Sequence, residues 1–273
     1  GIQMLGKLMK YEFRATAIYF LPIYAMLILV SGLRYAVSLI TEKFSGSYPV
    51  FSTFGLSAAY FLLAFGLAVT TFVVIIIRFY KNLLGAEGYL MFTLPVSISQ
   101  NILAKLIPAV VWFFGSLALG MLTIAPAMGM RFRDNPFVLM FTGVQLSDLP
   151  EIILGLLFVI GSIAMVFLFY YLCMCIGQIF NSHRFLASVG VYIGLQMLLQ
   201  TMSIVFMWIF TKAVADNMSS AIWIENFLLR LDEFPTDAIV YGFLITINVV
   251  VYGLSAALFF IDSAILRKRL NLL

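Results

Sequence analysis

Side chains that could act as nucleophiles, general bases or metal ligands are few in this sequence. The chain has one histidine, His183, and two cysteines, Cys173 and Cys175. The cysteines are two positions apart in an apolar run, so on a helix they point to different faces and a disulfide between them is not expected. His183 has no cysteine or acidic residue nearby and is predicted to be a solvated turn residue. We therefore predict no catalytic residue, no metal site and no bound cofactor, and we predict that this chain is not an enzyme.

Three amide side chains inside apolar runs are the main polar candidates. Gln196 and Gln200 are one helical turn apart and share a face, and Asn248 lies in the last apolar run. Such amides either tie helices together by interhelical hydrogen bonds or line a path for the polar parts of a substrate. The sequence leaves both interpretations open.

The elements that position these side chains are predicted to be membrane helices. Of the 273 residues, 63% are hydrophobic and 10% are charged, whereas an ordinary soluble domain carries about 25% charged residues. Long apolar runs recur without the alternation of a barrel strand. Because backbone groups in lipid must be paired internally, we predict an all-α, polytopic membrane protein with a single transmembrane domain over residues 1–273. The six predicted spans are residues 18–40, 53–77, 102–128, 150–179, 185–210 and 238–261.

The distribution of basic residues predicts the orientation. Lysine and arginine are more frequent on the side of the N-terminus, so both termini are predicted to be cytoplasmic. Asp262 is predicted to end the last span on that side. In residues 4–16, apolar and basic side chains fall on different sides of a helix, the apolar ones being Leu5, Leu8, Met9 and Phe13. This pattern is typical of an amphipathic helix in the headgroup layer, with a cytoplasmic extension of the first span as the alternative.

Two connections between the spans are more than simple loops. Residues 78–105 are too charged to lie in lipid, yet they are substantially apolar and are divided by glycines and a proline. An amphipathic connection of this kind is suited to rest on the lipid surface or on a protein partner, so we predict a short cytoplasmic helix there. Residues 211–237 carry a helical pattern of their own, formed by Ile224, Phe227, Leu228 and Leu231.

Two stretches resemble the permease subunits of ABC-2-type transporters. LGKLMKYEFRAT, at residues 5–16, resembles the interfacial helix that precedes the first span of that family. KNLLGAEGYLMFTLPVSISQNILAK, at residues 81–105, resembles the coupling region of the family, in which an acidic residue and a glycine precede a Leu-Pro-Val-Ser turn and a lysine. Six spans with an ordered outer connection before the last one also fit the family.

The resemblance implies an exporter of a hydrophobic or amphipathic substrate, such as a drug, an antimicrobial peptide or a lipid-like molecule, in the plasma (inner) membrane of a prokaryote. Two permease chains, identical or different, would pair in the bilayer, and separate ATP-binding cassette ATPase subunits would bind the ATP. The chain itself would bind no cofactor and no nucleic acid.

The resemblance also assigns roles to a coupling segment that would enter a cleft of the ATPase. Glu87 would be its polar anchor, and Leu83, Leu84 and Tyr89 would be its apolar contacts. The segment comprises Lys81, Asn82, Leu83, Leu84, Gly85, Glu87, Gly88 and Tyr89.

Two other functions stay open at this point. An ion-coupled secondary transporter would normally carry acidic or other coordinating residues at mid-membrane and broken helices in matched halves, and neither is clear in the sequence. A non-catalytic membrane immunity or scaffold protein would use the outer connection at residues 211–237 to contact a lipid-active peptide.

Overall fold

The computed structural model describes residues 2–43, 50–84, 96–180, 183–216, 222 and 236–270. Across these ranges the secondary structure is helical and contains no strand, which confirms the predicted all-α class. The helices are α1 (Ile2–Lys43), α2 (Val50–Phe79), α3 (Ile98–Ala127), α4 (Pro136–Phe141), α5 (Leu149–Gly177), α6 (Arg184–Asp216) and α7 (Thr236–Leu270). Of the predicted functional residues, Gly85, Glu87, Gly88 and Tyr89 lie outside the described ranges, as does the helical pattern at residues 224–231.

Six of these helices are long and apolar enough to cross a membrane. This confirms the predicted spans in number and order, although each one is bounded differently. The candidate spans are Met4–Lys43, Thr53–Leu84, Ile98–Ala127, Leu146–Gly177, Arg184–Ala213 and Ala238–Lys268. The predicted bounds followed the apolar residues alone, whereas a helix continues through polar residues as long as its backbone hydrogen bonds are kept.

The first helix shows this difference most clearly. α1 has 42 residues without a break, about 63 Å at 1.5 Å per residue, which is roughly twice the thickness of a bilayer's hydrocarbon core. Residues 4–16 form its first turns and are not a separate helix. Their basic side chains are exposed, as the amphipathic pattern predicts, whereas Leu8 and Phe13 are half-buried. The position of these turns at the membrane surface stays a prediction.

The chain divides into two compact units, residues 1–149 and residues 150–273. In the first unit, α1 and α3 run parallel, because their contacts advance together along both helices: Thr16 accepts from the Trp112 indole at 2.7 Å, and Tyr24 bonds Ser116 at 2.8 Å. α2 is antiparallel to both of them. Its early residue Tyr60 bonds Thr123, near the end of α3, at 3.0 Å.

Aromatic packing fills the interior of the first unit. Phe20 is fully buried and stacks on Trp112 with ring centroids 4.5 Å apart, which joins α1 to α3. Leu27 of α1 and Leu67 of α2 complete the same buried cluster. Because the tyrosine and tryptophan side chains in this interior are hydrogen-bonded, they add polar contacts between helices without leaving exposed donors in lipid.

In the second unit, polar side chains of α7 bond backbone carbonyls of α5. Asn248 donates to Leu154 O at 3.1 Å, and Tyr252 donates to Leu157 O at 2.8 Å. The contacts advance in the same direction along both helices, so α5 and α7 run parallel, as the fourth and sixth spans of an alternating bundle must. Gly161 allows this approach, because a Cβ there would lie 3.0 Å from the ring of Tyr252.

The turn between α5 and α6 brings the two helices into contact at that end. Gly177, the last residue of α5, lies so close to α6 that a Cβ on it would be 2.6 Å from the backbone of Ser188. His183 is exposed and has a positive φ of 52°, which agrees with its prediction as a turn residue. Cys173 and Cys175 are buried free thiols, as predicted.

Candidate functional site

The most developed cluster of charged side chains in the described part of the chain is centred on Glu12. Its carboxylate accepts from Arg78 Nε at 2.9 Å and from Arg78 Nη2 at 3.2 Å, which is a two-point, charge-assisted contact. The same carboxylate also accepts a hydrogen bond from Lys105 Nζ. The side chains of Glu12 and Lys105 are only 8% and 4% exposed. We call these three residues the Glu12 cluster.

The Glu12 cluster joins three helices at one end of the first unit. Glu12 lies in the early turns of α1, Arg78 is next to the last residue of α2, and Lys105 is in the third turn of α3. The two helices that flank the α2–α3 connection therefore contact the same buried carboxylate. Because a buried ion pair is costly to break from one side, this contact fixes the relative position of the three helix ends.

This cluster was not predicted from the sequence, in which its three charged residues lie far apart along the chain. A signal was present: Glu12 follows Leu8 by one helical turn and precedes Phe13, so it falls on the apolar side of the amphipathic pattern. An acid on an apolar face needs a cationic partner, and the nearest basic residues of its own helix, Lys10 and Arg14, are exposed on other faces.

The described part of the coupling segment begins at Lys81, three residues after Arg78. Residues Tyr80–Leu84 form a π-helical turn, a geometry found often at functional sites. Lys81 is exposed, Asn82 and Leu84 are half-buried, and Leu83 is only 3% exposed. The burial of Leu83 means that it packs within this chain, so Leu84 is the better placed of the two leucines for a contact with a partner.

The far end of the same connection is closed by a capping box. Ser97 Oγ accepts from Gln100 N at 3.3 Å, and Ser97 N donates to Gln100 Oε1 at 3.3 Å. These bonds satisfy backbone donors at the start of α3. The helix therefore begins where the Leu-Pro-Val-Ser stretch ends, and Lys105 follows two turns later.

The three amides proposed for a pathway lie in different environments. Gln196 and Gln200 are exposed on α6, a helix whose residues from 196 to 213 are all exposed. Asn248 is buried on α7 and donates to the carbonyls of Leu154 and Leu244. Asn248 thus acts as an interhelical link, which was the first of the two interpretations left open by the sequence, whereas the lining of a pathway by Gln196 and Gln200 stays a prediction.

α7 carries a buried acid, Asp262, at the position where the last span is predicted to end. α7 continues to Leu270, and Asp262 is 0% exposed. Within the described ranges, neither of its carboxylate oxygens has a hydrogen-bond partner. The thiol of Cys173 on α5 is near enough to the Asp262 carboxylate to interact with it electrostatically. Ionisable residues inside spans are costly and usually functional, so Asp262 is a second candidate position.

Metal binding is not supported by the described residues, because no group of three or more His, Cys, Asp or Glu side chains lies together in them. No family model, curated protein or solved structure matches this chain. The resemblance to ABC-2-type permeases therefore stays a prediction from the sequence. The Glu12 cluster, the π-helical turn and Asp262 are the features on which a functional proposal can be built.

Proposed function

We propose that this chain is the membrane-spanning permease subunit of an ATP-binding cassette exporter. The observation that carries the proposal is the Glu12 cluster, in which one buried carboxylate joins α1 to both helices that flank the coupling segment. A device that transmits movement from a motor subunit needs a rigid connection between the contact surface and the spans. The cluster supplies that connection on both sides of the segment.

The mechanism follows from this arrangement. A separate ATPase subunit binds ATP and closes, and the coupling segment moves with it. Because Arg78 and Lys105 share the carboxylate of Glu12, displacement of the segment moves α1, α2 and α3 together and does not unwind one helix end. The transport cycle is then an alternation between two states that the ATPase binds differently.

The remaining parts of the proposal come from the resemblance and from the charge distribution. The chain pairs with a second permease chain in the plasma membrane of a prokaryote, with both termini in the cytoplasm. The exported substrate is hydrophobic or amphipathic, and the permease chain itself binds no nucleotide.

The proposal is tested by affinity purification of the tagged chain in mild detergent, followed by an ATPase assay on the purified complex. We expect an ATPase subunit to co-purify and its ATP hydrolysis to respond to candidate substrates. Glu87→Lys should reduce its recovery at least about tenfold, equivalent to about 1.4 kcal/mol of binding free energy. Glu42→Lys is the matched control, because Glu42 is an exposed acid in the last turns of α1, at its other end. Unchanged recovery and unchanged ATP-driven transport in Glu87→Lys would refute the coupling role.

A second candidate function, ion-coupled secondary transport, is favoured by one specific observation. Asp262 is a fully buried acid within a candidate span, and acids of this kind bind protons or cations in ion-coupled carriers. The two candidates differ in their energy source. Uptake or export in vesicles that survives ATP depletion but is abolished by an ionophore would favour the ion-coupled function over the ATPase-driven one.

A further inference from the structure

The first unit contains an apolar groove between α2 and α3 that none of the contacts described above explains. Its volume is about 650 Å³, which lies within the range of about 300–1,000 Å³ typical of ligand pockets. Phe61 and Phe72 of α2 and Phe113 and Met121 of α3 form its walls, and Leu27 of α1 contributes to its floor. We call it the α2–α3 groove.

The few polar groups on the groove are already engaged by the protein. Tyr60 donates its hydroxyl hydrogen to Gly120 O at 2.9 Å, and Thr71 donates to Leu67 O at 2.7 Å. The Ser116 hydroxyl is bonded to the Tyr24 hydroxyl at 2.8 Å. A ligand in the groove would therefore meet almost only carbon atoms. This favours a hydrocarbon chain and disfavours a headgroup, a sugar or a peptide backbone, which would lose hydrogen bonds on entry.

α4 also lines the groove, through Phe137 and Met140. The position of α4 is set by Asn135, which is fully buried and caps it by accepting from Phe137 N at 2.9 Å. Asn135 Nδ2 also donates to Leu122 O at 3.1 Å. Leu122 O would normally accept from the backbone of residue 126, but residue 126 is a proline without an N–H. The amide of Asn135 thus replaces the missing donor and ties the start of α4 to α3 beside the groove.

The surroundings of the groove decide what fills it. Its walls belong to residues 61–72 and 113–124, which lie within two candidate membrane spans. The medium around a span is lipid hydrocarbon, and water does not enter an apolar cavity of this kind. We propose that one acyl chain of a bilayer phospholipid occupies the α2–α3 groove as a resident ligand and packs against α4. The proposal does not depend on the transport function, because occupancy requires neither ATP nor a partner.

The test uses the full chain in lipid nanodiscs that contain a phosphatidylethanolamine with a diazirine in its palmitoyl chain. After irradiation, mass spectrometry locates the cross-links. We expect them to be at least about fivefold more frequent at the groove residues Phe72 and Met121, each 37% exposed, than at Ile204 and Phe206 of α6, which are 63% and 67% exposed. Equal labelling of the groove and of α6 would overturn the proposal, because it would mean ordinary lipid contact only.

A matched pair of variants tests the groove directly. A Cβ at Gly120, on the groove wall, meets no atom within 4 Å, and the same holds at Gly253, on an exposed part of α7. Gly120→Leu should fill the groove and reduce its cross-links about fivefold, whereas Gly253→Leu should leave them unchanged. Ala68→Phe, also on the groove wall, is the second filling variant in case Gly120→Leu fails to fold. Undiminished labelling in a folded filling variant would overturn the proposal.

A competition experiment distinguishes a phospholipid acyl chain from a free fatty acid as the occupant of the groove. Unlabelled phosphatidylethanolamine should displace the cross-links in proportion to its excess, and free palmitate at the same concentration should not. If palmitate displaced them completely, the occupant would be a free fatty acid, and the assignment to a phospholipid would be overturned.

Discussion

Glu12 and Arg78, 66 residues apart in the chain, form a two-point ion pair with N–O distances of 2.9 and 3.2 Å. The pair joins the first turns of α1 to the end of α2 and, through Lys105, to the start of α3. Glu12→Gln should therefore lower the free energy of unfolding by about 3–5 kcal/mol, because both cations lose the charge that stabilises them in a poorly solvated site. Reversible unfolding in mixed detergent micelles measures this. Glu42→Gln, at an exposed pair with Arg131, should change it little.

The same substitution should separate binding from coupling if the proposed function is correct. Glu12 does not lie in the coupling segment, so Glu12→Gln should still recover the ATPase subunit in the affinity purification. The stimulation of ATP hydrolysis by substrate should fall at least about tenfold, because α1 no longer follows the flanking helices. Full stimulation in a Glu12→Gln chain that is folded would contradict the proposed role of the Glu12 cluster.

Asn135 and Pro126 should be energetically coupled. Asn135→Ala removes the buried amide that donates to the carbonyls of Met121 and Leu122, and should cost about 1–3 kcal/mol of stability. Pro126→Ala restores a backbone N–H at residue 126, which can bond Leu122 O within the helix. In a double-mutant cycle, Asn135→Ala should therefore cost less in the Pro126→Ala background. Additive effects would show that Asn135 does not act by replacing the missing donor.

Gly177 should tolerate no side chain. Gly177→Ala would place a Cβ 2.6 Å from the backbone of Ser188, so α5 and α6 would have to separate at the turn, at a cost of about 1–3 kcal/mol. Gly155→Ala on the same helix is the control. A Cβ there meets no atom within 4 Å, and alanine favours helix more than glycine by about 1 kcal/mol. Thermal unfolding in detergent should show a lower midpoint for the first variant and an equal or higher one for the second.

Apolar runs were enough to predict the number and order of the spans, because lipid leaves the backbone no alternative to helix. The same signal does not give the helix ends, since it stops at the first polar residues, whereas α1 and α7 continue through them. Contacts such as Glu12 with Arg78 could not be predicted, because they join residues that only the fold brings together. The hydrogen-bond donor to Leu122 O could not be predicted either. Pro126 shows in the sequence that the usual backbone donor is missing, but the sequence does not show that Asn135 replaces it.

Asp262 is the residue whose behaviour best separates the two candidate functions. Its buried carboxylate has no hydrogen-bond partner among the described residues, so its charge is poorly compensated. Asp262→Asn keeps the shape and removes the charge. If Asp262 has only a structural role, loss of the poorly compensated charge should raise the midpoint of thermal unfolding by roughly 2–4 °C. This corresponds to about 1 kcal/mol in a chain of this size. Asp134→Asn, at an exposed position, is the control and should have no effect.

The opposite outcome is equally informative. If a proton or cation bound at Asp262 drives transport, Asp262→Asn should abolish ion-driven transport in vesicles and should remove any stabilisation by the added cation. Transport that persists with unchanged ATP dependence in Asp262→Asn would contradict ion coupling through Asp262. The reason is that a coupling ion needs a coordinating group, and this variant removes the charge of the acid that is fully buried in the described ranges.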